Sequence, residues 1–238
     1  FPPAEVEAAD LTGLALELAL WGAKPMDLAF LTPPNEGVFA EAQKLLQMLG
    51  ALDAQNAITA HGRQLAKTPL HPRLAHMLAT AGPRAAPLAA LLASRDPLAR
   101  GAPVDLALRL EALDDPMRFF DRRPYSINRA ALKTIREESK RLTRVAKPTK
   151  TGSLSSAEMA ALAYPDRIGQ RRKGDTPRFV LSGGKGAVLA QDDPLAGSPL
   201  IVVTDTDGNP REARIRQAIA ISEAEIRSIY TNKISWVE

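Results

Sequence analysis

Apolar residues recur every three or four positions through most of the chain, the spacing of amphipathic helices, and alternate with polar ones only towards its end, the spacing of strands. In "EVEAADLTGLALELALWG", Leu11, Leu14, Leu18 and Trp21 form one helical stripe, and Gly22 supplies a stop. The prolines of "FLTPPN" exclude a continuous helix, after which "EGVFAEAQKLLQMLG" places Val38, Ala42, Leu45 and Leu49 on one face before Gly50. "ALDAQNAIT" sets two short apolar runs around a polar turn, a small β-hairpin. Thr59 then stands as N-cap of "AHGRQLAK", with Pro69 closing the unit. Helices followed by a small hairpin is the order of a winged-helix module, expected over 1–70.

Residues 71–163 carry a nearly all-helical pattern. "PRLAHMLATAG" opens on Pro72, a tolerated first-turn position, and "APLAALLAS" follows the break at Gly82 and Pro83. In "PVDLALRLEAL", Leu106, Leu110 and Leu113 form a stripe, with Asp105 and Arg109 paired on the outside. "DDPMRFFDRRPYS" is expected to be a loop. It leads into "NRAALKTIREESKRLTRV", where Arg129, Lys133, Arg136, Lys140 and Arg144 follow spacings of 4, 3, 4 and 4. At about 100° per residue they fall on one narrow stripe, and Leu132, Ile135 and Leu142 occupy the neighbouring docking face. A stripe of cations without acids fits a phosphate backbone. The plainer reading is a solvated face, helped by Glu137 between Lys133 and Arg141.

From Tyr164 to residue 238 the pattern is β-rich. "RFVL" and "GAVLA" flank "SGGKG", while "PLIVVTD" and "EARIRQAIAI" flank "TDGNPR". Ile215, Ile219 and Ile221 are expected on one face of a strand and Arg214 and Arg216 on the other. Short antiparallel strands with glycine turns imply a small barrel or sandwich. The tail "TNKISWVE" is strand-like and offers no closing element, so a β module left incomplete at residue 238 is expected.

Composition narrows the function classes. The 238 residues carry a formal charge of +4 and no cysteine. Basicity favours an anionic partner through salt-sensitive, sequence-independent attraction. The missing cysteines exclude disulfides and thiolate metal sites and point to a reducing, cytoplasmic home. No apolar run approaches the roughly 20 residues of a membrane span. The chain opens on Phe1 rather than Met, so a processed chain or a piece of a longer one is expected.

No catalytic motif stands out. "SGGKGA" lacks the spacing of a phosphate loop and sits between strands, which makes it a hairpin turn. "DTDGNP" lacks the remaining ligands of a calcium loop and is taken as a tight turn. His61, His71 and His76 do not have zinc-hydrolase spacing, and His71 before Pro72 suits helix capping or packing. Neither a nucleophile elbow nor a dinucleotide fingerprint is present.

Taken together, "LGALD" at Leu49 to Asp53, the segment from Ile58 to Gly62, and "HPRLAHML" at His71 to Leu78 resemble the region that follows the motor domains of DEAH-box helicases. "SRDPL" at Ser94 to Leu98, "DLALRLEAL" at Asp105 to Leu113, "ALAYPDRIGQRR" at Ala161 to Arg172 and the downstream "RFVLSGGKGAVL" are similar to the bacterial HrpB-type ATP-dependent helicases. The resemblance implies an α+β multidomain chain: a winged helix over 1–70, a helical ratchet-like bundle over 71–163 and an OB-like antiparallel β module over 164–238.

The resemblance further implies an accessory C-terminal region that binds single-stranded nucleic acid, usually RNA in this family, and braces two RecA-like motor domains. ATP and magnesium would belong to those motor domains, whose motifs are not in this sequence, and the chain alone is expected to be inactive as an ATPase. The candidate contacts are Arg129, Lys133, Arg136 and Lys140, then Arg171, Arg172 and Lys173, with Arg95 in addition. Aromatic residues make up only 5% of the chain, which argues against extensive base stacking. The rival expectation is a non-enzymatic module: either a winged-helix DNA binder presenting Arg63, Gln64 and Lys67, or a protein-docking platform.

Overall fold

The computed structural model describes residues 10–149, 152–209 and 211–231. The chain divides into two compact units, Phe1–His76 and Met77–Glu238.

In the first unit, helices α1 (Thr12–Trp21) and α2 (Glu36–Met48) pack together, and α3 (Ala60–Ala66) packs on α1. Leu11, Ala15, Leu16 and Leu18 of the α1 region and Ala42, Leu45, Leu46 and Leu49 around α2 are buried. Leu14 is half-buried, and two members of the expected stripes are exposed, Trp21 at 67% and Val38 at 39%, because each lies near the end of its helix, beyond the packed turns. The expected hairpin is reduced to one antiparallel bridge, Leu52 to Ile58. Thr59 caps α3 as expected, its Oγ1 accepting from the Gly62 amide at 3.0 Å. Gly62 is required by close approach rather than by turn geometry: a Cβ there would lie 2.2 Å from the Ala51 carbonyl oxygen. Helix α4 (Pro72–Ala81) begins in this unit. His71 caps it, Nδ1 accepting from the Arg73 amide at 3.2 Å.

The helical part of the second unit is built around α5 (Ala86–Leu92), of which Ala86, Leu88, Ala89, Ala90 and Leu91 are buried. Against it lie α6 (Leu106–Asp114) and α8 (Arg129–Val145). Between these, residues expected to form a loop make helix α7 (Pro116–Arg122): Asp115 caps it by accepting from the Arg118 amide at 3.0 Å, Pro116 takes the first turn, and Phe119 is fully buried. Arg109 is not outside but 3% exposed. Its guanidinium donates to Asp96 at 2.8 and 3.2 Å, to the Asp105 carbonyl at 2.9 Å and to the Pro103 carbonyl, so each nitrogen of a buried charge is bonded and the charge itself is paired.

After α9 (Ser156–Ala163), Pro165–Arg167 forms a single 3-10 turn and the chain enters a barrel. Its strands are β1 (Ile168–Arg171), β2 (Arg178–Leu181), β3 (Gly186–Val188), β4 (Leu200–Thr206) and β5 (Ala213–Ala220). The order β1-β2-β3-β5-β4 closes on itself, every pair antiparallel except β3 with β5. Phe179, Leu181, Ala187, Ile201, Val203, Ile215 and Ala218 belong to its interior. "SGGKG" is the β2–β3 turn; Gly183 sits so close to the Asp166 carbonyl that a Cβ would be 2.9 Å away. "TDG" is likewise a turn, with the Asp207 Oδ1 accepting from the amides of Asn209 and Arg214, bonds that hold its carboxyl below the usual range.

The expected alternation of β5 fails midway. Pairings run Val203 to Ala218, Asp205 to Gln217 and Thr206 to Ile215, leaving Thr204 on β4 and Arg216 on β5 as extra residues, a bulge in each strand. Ile215 therefore shares the barrel interior with Ala218, while Ile219, paired with Val202, is buried on the opposite face, where α9 packs on β4 and β5. Helix α10 (Glu223–Tyr230), unannounced by any stripe read in the sequence, returns to α9. Two capping boxes, Ser155 with Glu158 and Ser222 with Glu225, interlock: Ser155 Oγ donates to Glu225 Oε1 at 2.6 Å and Ser228 Oγ donates to Glu158. Residues 232–238 of the strand-like tail lie outside the described residues.

Candidate nucleic-acid interface

Helix α8 owes its position to its two faces. Asn128 starts it, Oδ1 accepting from the Ala131 amide at 3.1 Å, and Leu132, Ile135 and Leu142 are buried towards α5. Arg129, Lys133, Arg136, Lys140 and Arg144 are all exposed along the other side. Their commitments differ. Arg136 donates from Nε and Nη2 to the Leu113 carbonyl at 3.1 and 2.7 Å and to the Asp114 carbonyl at 3.2 Å. It therefore caps the C-terminus of α6, where unbonded carbonyls and the helix dipole both favour a cation. Lys133 is 78% exposed and only loosely paired with Glu137, at 3.9 Å. Arg141 pairs with Glu138 rather than Glu137, at 2.6 and 2.8 Å, and this hydrogen bonding holds the Glu138 carboxyl below its ordinary value. The side chains of Arg129, Lys140 and Arg144 have no hydrogen-bond or ion-pair partner among the described residues.

A second group sits at the entrance to the barrel. Arg171 ends β1 and is used structurally, Nε donating to the Ala196 carbonyl at 2.8 Å and Nη2 to Gly174 at 3.3 Å. Arg172 and Lys173 follow in the β1–β2 loop, exposed, and their side chains have no bonded partner among the described residues. Just before β1, Arg167 lies over the Tyr164 ring at 5.4 Å and within 3.8 Å of Asp166. Arg95 is exposed and its side chain is unpaired among the described residues; the carboxylate of the neighbouring Asp96 is taken by Arg109. No hydrogen bond or ion pair joins the α8 group to the barrel group among the described residues.

Between the helical part and the outer side of β4 and β5 lies a cavity of about 540 Å³. Leu91, Leu92 and Tyr164 form its apolar wall, and Ser94, Asp96, Thr204, Asp205, Arg216 and Gln217 its polar one. Sequence alternation had placed Arg216 on the wet face of β5 without marking it as a site residue, and no sequence signal singles out Asp205. Both bulge residues, Thr204 and Arg216, line this cavity.

In the first unit, His61 Nε2 and His76 Nδ1 are 2.8 Å apart, with rings edge to face, and burial pushes the His61 imidazole below its ordinary pKa. Burial would raise the Asp10 carboxyl, but hydrogen bonds from His71 and Thr12 outweigh it and hold the group well below the carboxylate range. Neither arrangement places a nucleophile beside a base. Among the described residues no helix is long and apolar enough to cross a membrane.

Comparison with known proteins gives the site its setting. The winged-helix model of the helicase-associated domain HA2 matches residues 42–70. The ATP-dependent RNA helicase HrpB of Escherichia coli (strain K12) is 31% identical over 195 residues, which cover 81% of this chain and 22% of that protein. Two crystal structures of E. coli HrpB, described as a DExH-box NTPase and as a DEAH/RHA helicase, match with TM-scores of 0.71 and 0.68 at 28% identity, covering 98% and 92% of this chain. The chain spans about a fifth of the length of the curated relative and 27% and 26% of the solved chains. With an HA2 winged helix, sequence kinship over four fifths of its length and a shared fold, the chain belongs to the HrpB-type helicases and corresponds to their C-terminal region.

Proposed function

We propose that this chain is the accessory region of an ATP-dependent helicase, where it holds single-stranded nucleic acid, RNA by analogy with its relative, through phosphate contacts and braces the motor domains. The observation that carries the reading is the outer stripe of α8. A docked helix that leaves Arg129, Lys140 and Arg144 without acidic partners among the described residues keeps those charges for an outside anion. Arg172 and Lys173 support a second contact. Their loop joins the first two strands of a closed five-stranded barrel whose order fits an OB-like module, a fold that binds oligonucleotides with this loop. Arg95 joins this group, whereas Arg136 and Arg171 contribute by holding α8 and the barrel entrance in shape. Lys133 completes the stripe.

Bracing is supported by Trp21, Met26, Leu28 and Leu31, all exposed apolar side chains within one short stretch of the first unit. We assign the winged helix to 1–70, the ratchet-like bundle to 71–163 and the β module to 164–238. ATP and magnesium are placed in motor domains outside this sequence, and the whole assembly in the cytoplasm.

The test is fluorescence anisotropy of a labelled single strand against salt. Each phosphate contact adds about 0.7 to the slope of log affinity against log salt, so Arg129→Ala/Lys140→Ala lowers it by about 1.4. An unchanged slope returns the stripe to an ordinary solvated face. The isolated chain is expected to show no nucleic-acid-stimulated ATP hydrolysis; turnover would refute the accessory role.

A further inference from the structure

The cavity beside β4 and β5 is built differently from the basic surfaces. In a regular strand pair Thr204 and Arg216 would each face a partner residue; the paired bulges turn both towards the cavity instead. Bulges of this kind re-aim side chains. Thr204 is 5% exposed, and its Oγ1 donates to Gln217 Oε1 at 2.9 Å, which fixes the amide and leaves its nitrogen, a donor, without a partner among the described residues. Arg216, also donor-only, has no bonded partner for its guanidinium among those residues, nor has the Asp205 carboxylate. Asp96, also in the lining, is already engaged: Oδ2 accepts twice from Arg109, which matches its charge, and Oδ1 accepts from the Leu98 amide, whereas the Asp205 carboxylate has neither a cation nor a donor among those residues.

The wall thus offers one available carboxylate, two sets of available donors and an apolar side formed by Leu91, Leu92 and Tyr164, in a volume of about 540 Å³. A bare phosphate would meet Asp205 at a cost, and a simple cation would meet Arg216. A flat ligand with adjacent donors and a neighbouring acceptor satisfies both. Among nucleobases guanine alone has that edge: N1–H and the 2-amino group match the two oxygens of a carboxylate, and O6 matches an arginine or amide donor. Uracil turns two carbonyl oxygens to the same wall, and cytosine and adenine each present a single donor group. Unstacked bases of single strands are commonly recognised in this way on their pairing edges.

We propose that this cavity holds one unstacked guanine of the bound strand, with Asp205 accepting from the base, Arg216 or the Gln217 amide donating to O6, and the apolar wall covering a ring face. The inference rests on the single-strand reading above and adds base preference to a contact otherwise made through phosphates. Arg95, next to the lining residue Ser94, is placed to meet the flanking phosphate.

The experiment measures anisotropy of labelled uridine 12-mers with and without one central guanosine, using the 238-residue chain. Wild type binds the guanosine strand about tenfold tighter. Asp205→Asn, at an exposed position, and Arg216→Met each reduce that preference to about twofold or less, with affinity for the all-uridine strand and its salt slope unchanged. Deoxyoligonucleotides show the same preference, since the edge is common to both; preference in one backbone only overturns the edge assignment. Binding of both strands without preference, or preference surviving in both variants, overturns the guanine pocket and leaves the phosphate reading standing. Failure of every strand to bind overturns both. Free guanosine monophosphate binding as tightly as the oligonucleotide would make this a nucleotide site and overturn the strand assignment.

Discussion

Gly62→Ala should destabilise the first unit, against the ordinary rule for helices. Alanine is favoured over glycine by about 1 kcal/mol in a helix interior, so propensity alone expects a more stable protein. Gly62, however, is buried in α3 against the segment before the bridge. An added methyl would lie 2.2 Å from the Ala51 carbonyl oxygen and 2.9 Å from Ile58 Cγ1. The first neighbour is backbone, and it is held: the Ala51 oxygen accepts from the Thr59 amide at 3.0 Å and from its hydroxyl at 3.2 Å. Relief requires moving α3 outward by about an ångström, which breaks one or both bonds, each about 1 kcal/mol, in addition to roughly 1–3 kcal/mol for overpacking. Less the propensity gain, the net loss is about 1–4 kcal/mol. In a unit of this size that lowers the melting temperature by about 5 °C or more, measured by circular dichroism with urea unfolding as a second probe. A variant that melts at or above the wild-type temperature would refute the close-packing argument for this glycine.

Arg136→Ala should lower stability by about 1–2 kcal/mol through the uncapped α6 carbonyls, while Arg129→Ala stays within about 0.5 kcal/mol; thermal melts of the two variants separate the structural cation from the available one. For His61, burial places the folded pKa below its ordinary 6.5, so the unfolded chain binds more protons in that range. Stability is then fully present above pH 6.5 and is lost as pH falls below it. Urea midpoints should decline from pH 7 to pH 5, and His61→Gln should flatten that decline; an undiminished slope would place the effect in other groups.

Much of the helical part was legible because its determinants are local. Asn128, the spacing of Leu132, Ile135 and Leu142, and the cationic stripe all lie within a few turns of one helix, so geometry at about 100° per residue suffices. Helix α7 stands where a loop is expected, although Asp115 followed by Pro116 is a cap and first-turn pair. Helix α10 likewise carried a readable capping box at Ser222 and Glu225. The role of Arg109 was not readable: its carboxylate partner lies 13 residues away, across a loop.

The family segments, the helix faces, the turns at "SGGKG" and "TDG", and the positions of the charges are legible along the chain, because they depend on neighbours a few positions apart. Which charges remain available depends on long-range packing. Arg136 is committed to carbonyls 22 and 23 residues away and Arg171 to one 25 residues away, whereas the side chains of Arg129 and Lys140 have no such partner among the described residues. The tertiary structure also decides that the barrel closes, through β3 and β5 pairing in parallel, and that bulges turn Thr204 and Arg216 into one cavity. Pairing register is a long-range property: one extra residue in a strand reverses the faces beyond it, and no local pattern in "EARIRQAIAI" reveals where that residue falls.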